Sequence, residues 1–278
     1  MATEPDSWDT EETAEAYDEA VRGGSLYRAL GRRLADLLRL PPGACLLDLA
    51  CGTGVSAEPA LRCLGPGGRV VGADAAAAML AVARRRHLVP NAAWVRAVPA
   101  SLPFRDGCFD AAMSSAAFWH FPSPGSAFAE LYRVCRPGAR LALNVPAAQL
   151  ADLEDLPPAP FQLALAREGE RLFGRSPAPA GPVRTRSGLA ELAGEAGWTL
   201  VEERTADLAV PQEELRALVE VPAIGARLYP EADAAARRRW IEAAARRIDL
   251  LEPATVRWWE ALFERRGRAV RRSTRPGA

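Results

Sequence analysis

The sequence contains no lysine: its 35 basic residues are all arginine, and 35 acids balance them to a formal charge of zero. Without lysine there can be no P-loop, whose phosphate-binding turn needs one. Balanced charge supplies no field to draw the chain onto nucleic acid or an anionic membrane. The arginine bias, with heavy use of alanine, reads as coding bias rather than as function. Histidine is scarce, with only His87 and His120. The five cysteines, Cys45, Cys51, Cys63, Cys108 and Cys135, form no CxxC pair and show no metal-ligand spacing, so no metal is expected. Cys45, Cys51 and Cys135 lie in or beside apolar runs, where a reduced thiol behaves as a small hydrophobe, as in a reducing cytosol. No apolar stretch is long enough to span a bilayer. The segment MATEPDSWDTEE is acidic and has no apolar core, so no signal peptide and a cytoplasmic location are expected.

What the chain does have is an alternation of short apolar runs and helical stretches. Apolar residues recur at helical spacing from Thr10 to Leu40, with Gly23-Gly24 dividing the segment in two. Strands are expected at Cys45–Leu49, Arg69–Ala73, Ala93–Ala97, Phe109–Ser114 and Arg140–Val145. Helices are expected between them, at Ser56–Leu64, Ala76–His87 and Gly125–Cys135. Such alternation predicts right-handed βαβ units and a parallel sheet. The proline-rich stretch 147–186, with one helical patch at Phe161–Phe173, reads as an insert or lid. A helix at Ser187–Gly197 and a strand at Trp198–Arg204 follow. Val210–Gly267 reads as largely helical, with Trp240, Trp258, Trp259 and Phe263 as packing residues on those helices. The expected division is an N-terminal helical lid (1–42), a main domain (43–205), a C-terminal helical segment (206–267) and a disordered basic tail (268–278).

The strongest local signal is Leu46-Leu47-Asp48-Leu49-Ala50-Cys51-Gly52-Thr53-Gly54-Val55, an apolar strand running into a Gly-x-Gly turn before a helix. Glycine there permits close approach of a ligand to the backbone, and the helix start offers free N–H groups. The dinucleotide pattern GxGxxG is not met, because Ala57 follows Gly54 by three and Ala50 precedes Gly52 by two.

Asp48-Leu-Ala-Cys-Gly-Thr-Gly resembles the first motif of class I S-adenosylmethionine (AdoMet) methyltransferases. The likeness is to the branch holding ubiquinone and menaquinone C-methyltransferases and natural-product O- and N-methyltransferases. Val70-Val71-Gly72-Ala73-Asp74 with Met79-Leu80 resembles that family's second strand. Ser101-Leu102-Pro103-Phe104 with Asp106-Gly107-Cys108-Phe109-Asp110 resembles its segment before the fourth strand. Glu130–Ala139 resembles its helix-then-turn before the fifth. The resemblance covers Leu46–Val145 well, the N-terminal helices moderately and the remainder poorly. It implies a Rossmann-like, mostly parallel, doubly wound α/β sheet with N-terminal helices and a C-terminal helical cap.

The resemblance also assigns roles. Asp48 would order the glycine loop and help hold the AdoMet amino group, directly or through water. Ala50, Gly52 and Gly54 would lie against the methionine portion. Asp74, with Ala75 after it, would accept hydrogen bonds from the ribose hydroxyls, at the carboxyl end of its strand. Met79 would pack on the adenine, or simply in the core. Val98, followed by Pro99, stands where the family has an acid for the adenine amino group. Tyr17 matches an aromatic of the N-terminal lid and equally suits a helix anchor. Ser114 and Ser115 fall at the cofactor–substrate junction. His120 matches a position where some sugar and phenol O-methyltransferases carry a histidine pair, with Trp119 replacing the first. It is either a base for a hydroxyl acceptor or a ring that fixes its loop. His87, at a helix end after three arginines, is expected to be exposed.

The expected function is AdoMet-dependent methyl transfer to O, N or C of a small molecule, expected to be a secondary metabolite, with release of S-adenosylhomocysteine. The alternative is a protein of the same fold that binds AdoMet but catalyses cyclisation or elimination. A nicotinamide-dependent oxidoreductase is a distant third. Nucleic acid is not an expected partner, since Asp110-Ala111-Ala112-Met113 lacks the Asn/Asp-Pro-Pro-aromatic motif of base-methylating enzymes. The chain is expected to be a monomer or a homodimer.

Overall fold

The computed structural model describes residues 7–87, 90–178 and 183–266; the basic tail expected at 268–278 lies outside them. Two helices, α1 (Glu11–Gly23) and α2 (Leu26–Leu38), lead into the sheet, and the break falls at Gly24-Ser25. Thr10 caps α1 by accepting the Thr13 N–H, and Glu11 and Glu12 suit its positive end. Five strands then alternate with three helices: β1 (Cys45–Leu49), α3 (Ala57–Leu64), β2 (Arg69–Asp74), α4 (Ala77–Arg86), β3 (Ala92–Arg96), β4 (Phe109–Ser114), α5 (Pro124–Val134) and β5 (Cys135–Pro146). After them come α6 (Pro160–Phe173), α7 (Arg186–Glu195), β6 (Trp198–Pro211), α8 (Gln212–Glu220), α9 (Pro222–Leu228), α10 (Ala234–Ala245) and β7 (Pro253–Arg265).

The seven strands form one sheet in the order β3-β2-β1-β4-β5-β7-β6. β1 to β5 pair in parallel, and β7 lies antiparallel between β5 and β6. This is the doubly wound, Rossmann-like α/β sheet that the resemblance implies, built on the parallel pairing that the alternation predicts. Side chains alternate between its faces, as a strand's two-residue period demands. Leu47, Ala112, Leu141 and Leu143 pack with Phe128 and Leu131 of α5 and Leu189 of α7. Leu46, Ala111, Met113 and Ala142 pack with Leu34, Leu37 and Leu38 of α2 and with Leu80 and Ala83 of α4. The chain order reverses between β1 and β4, which leaves a crevice at their carboxyl ends.

The C-terminal reading needs correction. Pro253–Arg265 is a strand rather than helix, and Trp258, Trp259 and Phe263 pack from it. Inserted between β5 and β6, β7 buries both faces and so loses the polar–apolar alternation that marks a half-exposed strand. Its Glu, Ala, Leu and Arg residues are helix formers that sheet pairing overrides. β6 also runs past the expected boundary at 205, to Pro211. The helical cap is therefore two insertions into the sheet domain: α6 after β5, and α8 to α10 between β6 and β7. They share a core of Phe161, Leu165, Tyr229, Trp240 and Ile241. The Trp240 indole N–H donates to the Leu165 carbonyl at 2.8 Å. Buried Gln212 joins the pieces, accepting from the Phe161 N–H and donating to the Asp249 carbonyl.

One buried ion group locks the late strands to α2. Glu260 of β7 is fully buried and accepts from Arg33 of α2 (Nη2, 3.1 Å) and Arg204 of β6 (Nε, 2.6 Å). Among the described residues no helix is long and apolar enough to cross a membrane.

Candidate active site

β1 ends at Leu49, and the chain turns through Ala50 (φ 58°), Gly52 (φ 54°) and Gly54 (φ 88°) into α3. Ala50 and Cys51 both donate their N–H to the Ala73 carbonyl of β2, which ties the turn to its neighbour. A left-handed alanine is strained, and strain of this kind gathers where surrounding structure holds a functional loop. A second one, Ala116 (φ 54°), follows β4 and donates its N–H to the buried Asn144 side chain at 2.7 Å. Both alanines line the same cavity.

Asp48 lies fully buried beneath the turn. One carboxylate oxygen accepts the Ser56 hydroxyl at 2.9 Å, while the other has no partner among the described residues. Burial pushes its pKa up to about 7, with Ser56 opposing the shift and Asp74 adding to it. Asp74, the last residue of β2, accepts the Gly52 N–H (2.8 Å) on one oxygen and the Ala76 N–H (2.9 Å) on the other. Burial raises its pKa, and these backbone donors resist the rise. Each carboxylate oxygen keeps a further lone pair for a ligand.

Over the turn stands an aromatic wall. Tyr17 of α1 makes edge-on contacts with Trp8 and Tyr27, with ring centroids 5.6 and 5.9 Å apart. A β-carbon placed on Gly52 would come within 3.3 Å of the Tyr17 ring, so only glycine leaves clearance there. Burial, with Tyr27 and Asp74 adding, holds the Tyr17 phenol protonated.

These parts frame a cavity of about 510 Å³ at the carboxyl ends of β1, β2 and β4, extending beneath the cap. That size suits a small-molecule site, for which roughly 300–1,000 Å³ is usual. Of the sequence-derived site residues, Tyr17, Ala50, Gly52, Asp74, Ala75, Met79, Pro99, Ser115 and His120 line it. Met79 also packs in the small core with Ala14 and Val82, so both readings of it hold at once.

Four others do not reach the cavity wall. Asp48 lies under the turn, and Ser114 is fully buried with its hydroxyl unpartnered. Val98 is 52% exposed and pairs with Ser101, while its neighbours Ala97 and Pro99 supply the wall. Gly54 faces away, where a β-carbon would meet Trp94 at 2.6 Å and His87 at 2.8 Å. His87 is a further correction, since its side chain is only 9% exposed. Its Nε2 lies 2.9 Å from the Thr53 carbonyl oxygen and its ring tilts against Trp94, so it braces the glycine turn from behind.

His120 does not have a base's environment. Arg227 Nη1, on α9, lies 2.9 Å from its Nδ1. A guanidinium can only donate, so Nδ1 must accept, and the neutral ring carries its proton on Nε2. Burial first, then the Arg227 charge, lowers its pKa to about 4. In this arrangement the ring presents an N–H donor on Nε2, and its Nδ1 lone pair is taken by Arg227. Sequence reading missed Arg227, Trp8, Tyr27, Gln162, Leu218, Ile224 and Trp258 on the cavity wall. They come from segments remote in sequence and carry no motif; only the ring-and-arginine pairing in space marks Arg227.

Residues 47–143 match the family described as "Methyltransferase domain". Demethylmenaquinone methyltransferase of Thermus thermophilus is 42% identical over 114 residues, 40% of this chain and 51% of the relative. Nocamycin O-methyltransferase of Saccharothrix syringae is 38% identical over 138 residues, 47% of each chain. The chain thus spans about half the length of these curated relatives. Among solved structures, the cyclase SpnF superposes with a TM-score of 0.54 at 21% identity, covering 84% of this chain and 80% of that one, a likeness of fold. Strands β2 to β4, the glycine turn and the terminal Asp74 described above all fall within residues 47–143, the part of the chain that is similar to the methyltransferase domain family.

Proposed function

We propose that the protein transfers a methyl group from AdoMet to a small, largely apolar acceptor. The observation that carries this reading is one cavity of about 510 Å³ lined both by the glycine turn and by residues of the cap helices. The residues present fit the cofactor. Gly52 offers backbone clearance, and Asp74 has lone pairs free for ribose hydroxyls. Asp48 supports the turn from beneath, and Met79 and Pro99 offer apolar contacts for the adenine.

AdoMet, when bound, supplies an electrophilic methyl group on a sulfonium. The chain's own contribution is positioning and exclusion of water. Tyr17, Trp8 and Tyr27 close the cavity above the glycine turn, while Trp119, Phe121 and Trp258 make its far end apolar. An apolar lining and a neutral chain favour a small organic molecule over nucleic acid. The cytoplasm and natural-product biosynthesis fit this reading, the latter by analogy with the nocamycin relative.

Calorimetric titration with AdoMet and S-adenosylhomocysteine tests the assignment. Micromolar binding by the wild type, lost in Asp74→Ala, is expected; no binding by the wild type overturns it. The non-methylating alternative draws on the lack of an obvious base at His120. Product mass separates the two, since a gain of one methylene with release of S-adenosylhomocysteine means transfer.

A further inference from the structure

Many arginines in this protein lie within 4 Å of a carboxylate, among them Arg28, Arg33, Arg86, Arg133 and Arg257. Arg227 is different. Among the described residues its contacts are His120 Nδ1 and the face of Trp8, whose ring centre lies 5.5 Å from the guanidinium carbon. Neither contact neutralises the charge. Arg227 stands at the solvent-reached mouth of a largely apolar cavity, and the cavity environment lowers its pKa through desolvation. Exposed, and with no carboxylate beside it among the described residues, the guanidinium has N–H donors open to an arriving anion. Asp74, the other charged group on the wall, already accepts the Gly52 and Ala76 N–H groups at the glycine turn.

His120 positions the guanidinium. Because Nδ1 is taken by Arg227, the ring's one proton sits on Nε2, which has no partner among the described residues. The contact with Nδ1 fixes one end of the guanidinium and leaves its other N–H groups to complement an oxygen that carries negative charge.

We propose that Arg227, positioned by its contact with His120 Nδ1, is the seat for an anionic oxygen of the acceptor, so that the cavity takes apolar molecules bearing one acidic oxygen group. A carboxylate and an ionised enol or phenol share this chemistry. The inference rests on the methyltransferase reading only in calling the ligand an acceptor. It also accounts for a site with no base: an oxygen that arrives ionised has no proton to lose.

The test measures binding of 2-naphthoate, of 4-nitrophenolate and of the neutral 2-naphthamide by calorimetry, with and without saturating S-adenosylhomocysteine. The wild type should prefer at least one anion over the amide by about tenfold or more, the scale of a charge-assisted hydrogen bond. Preference for naphthoate points to a carboxylate acceptor and preference for nitrophenolate to an enol or phenol. Arg227→Gln should bring anion and amide to within about twofold, and Arg227→Lys should retain part of the preference. His120→Phe should weaken it, and His120→Gln, which restores an N–H donor and an acceptor for Arg227, should recover some. Thermal melts confirm that each variant is folded. Equal binding of anions and amide by the wild type overturns the proposal, as does an undiminished preference in Arg227→Gln. Failure of S-adenosylhomocysteine to bind, with the anion preference intact, would instead remove the methyltransferase reading and leave the anion seat standing.

Discussion

The Asp74 carboxylate accepts the Gly52 N–H at 2.8 Å, so the acid that ends β2 and the glycine turn that follows β1 act as one unit. With Ala76 donating to the other oxygen, Asp74 shapes the turn before any ligand arrives. Asp74→Ala should therefore lose two kinds of interaction, to ligand and to loop. S-adenosylhomocysteine affinity should fall by roughly 1.5–3 kcal/mol, about ten- to a hundredfold. Asp74→Asn, which keeps one acceptor oxygen, should fall between, as titration calorimetry will show.

Asp48 makes stability depend on pH with a definite sign. Its folded-state pKa, about 7, lies above the ordinary carboxylate value of 3.8, so between those values the folded chain holds a proton that the unfolded chain releases. The contribution is fully present below pH 4 and is lost as pH rises through 7. Asp48→Asn should raise the unligated protein's Tm at pH 8, raise it less at pH 5 and leave it nearly unchanged below pH 4. The free-energy gain at pH 8 should be at most a few kcal/mol, since each tenfold change in proton affinity is worth about 1.4 kcal/mol. The same variant should abolish any strengthening of S-adenosylhomocysteine binding as pH rises through 7.

The two glycines of the turn should fail differently. Gly54→Ala drives a β-carbon into Trp94 and His87 at a left-handed φ, so it should destabilise the fold by about 2 kcal/mol or more. Gly52→Ala meets only the edge of Tyr17 and should cost about 1 kcal/mol while sharply weakening cofactor binding. Denaturant melts beside cofactor titrations separate the two.

His120 should stay neutral across the working range. Its ring signals in NMR should not titrate between pH 5 and 8, because burial and Arg227 hold its pKa near 4. Arg227→Gln removes one of those two causes and should move the midpoint upward. A wild-type midpoint near 6.5 would contradict the arrangement.

Glu260 is the stability test away from the cavity. Glu260→Ala leaves Arg33 and Arg204, each about a third exposed, without their shared carboxylate and should cost about 1–3 kcal/mol, read from chemical denaturation. Replacing it with Gln, which retains the shape and an acceptor, should cost less.

What the sequence by itself determined is the half of the protein built from local pattern. The βαβ alternation, the Gly52-x-Gly54 turn and the acid at the end of β2 follow from short-range periodicity and turn chemistry, and they lie within about thirty residues of one another. The tertiary structure decided the rest. β7 reads as an amphipathic helix until it is slotted between β5 and β6, where burial on both faces removes the alternation a strand would show. Val98 and Gly54 sit at motif positions yet point away from the cavity, because side-chain direction depends on the strand end and the turn, not on spacing alone. His120 is legible as a residue near the methyl donor, but its protonation is set by Arg227, 107 positions along the chain and brought there by the packing of the cap. Ring chemistry is written in contacts, and contacts between distant segments exist only once the chain has folded.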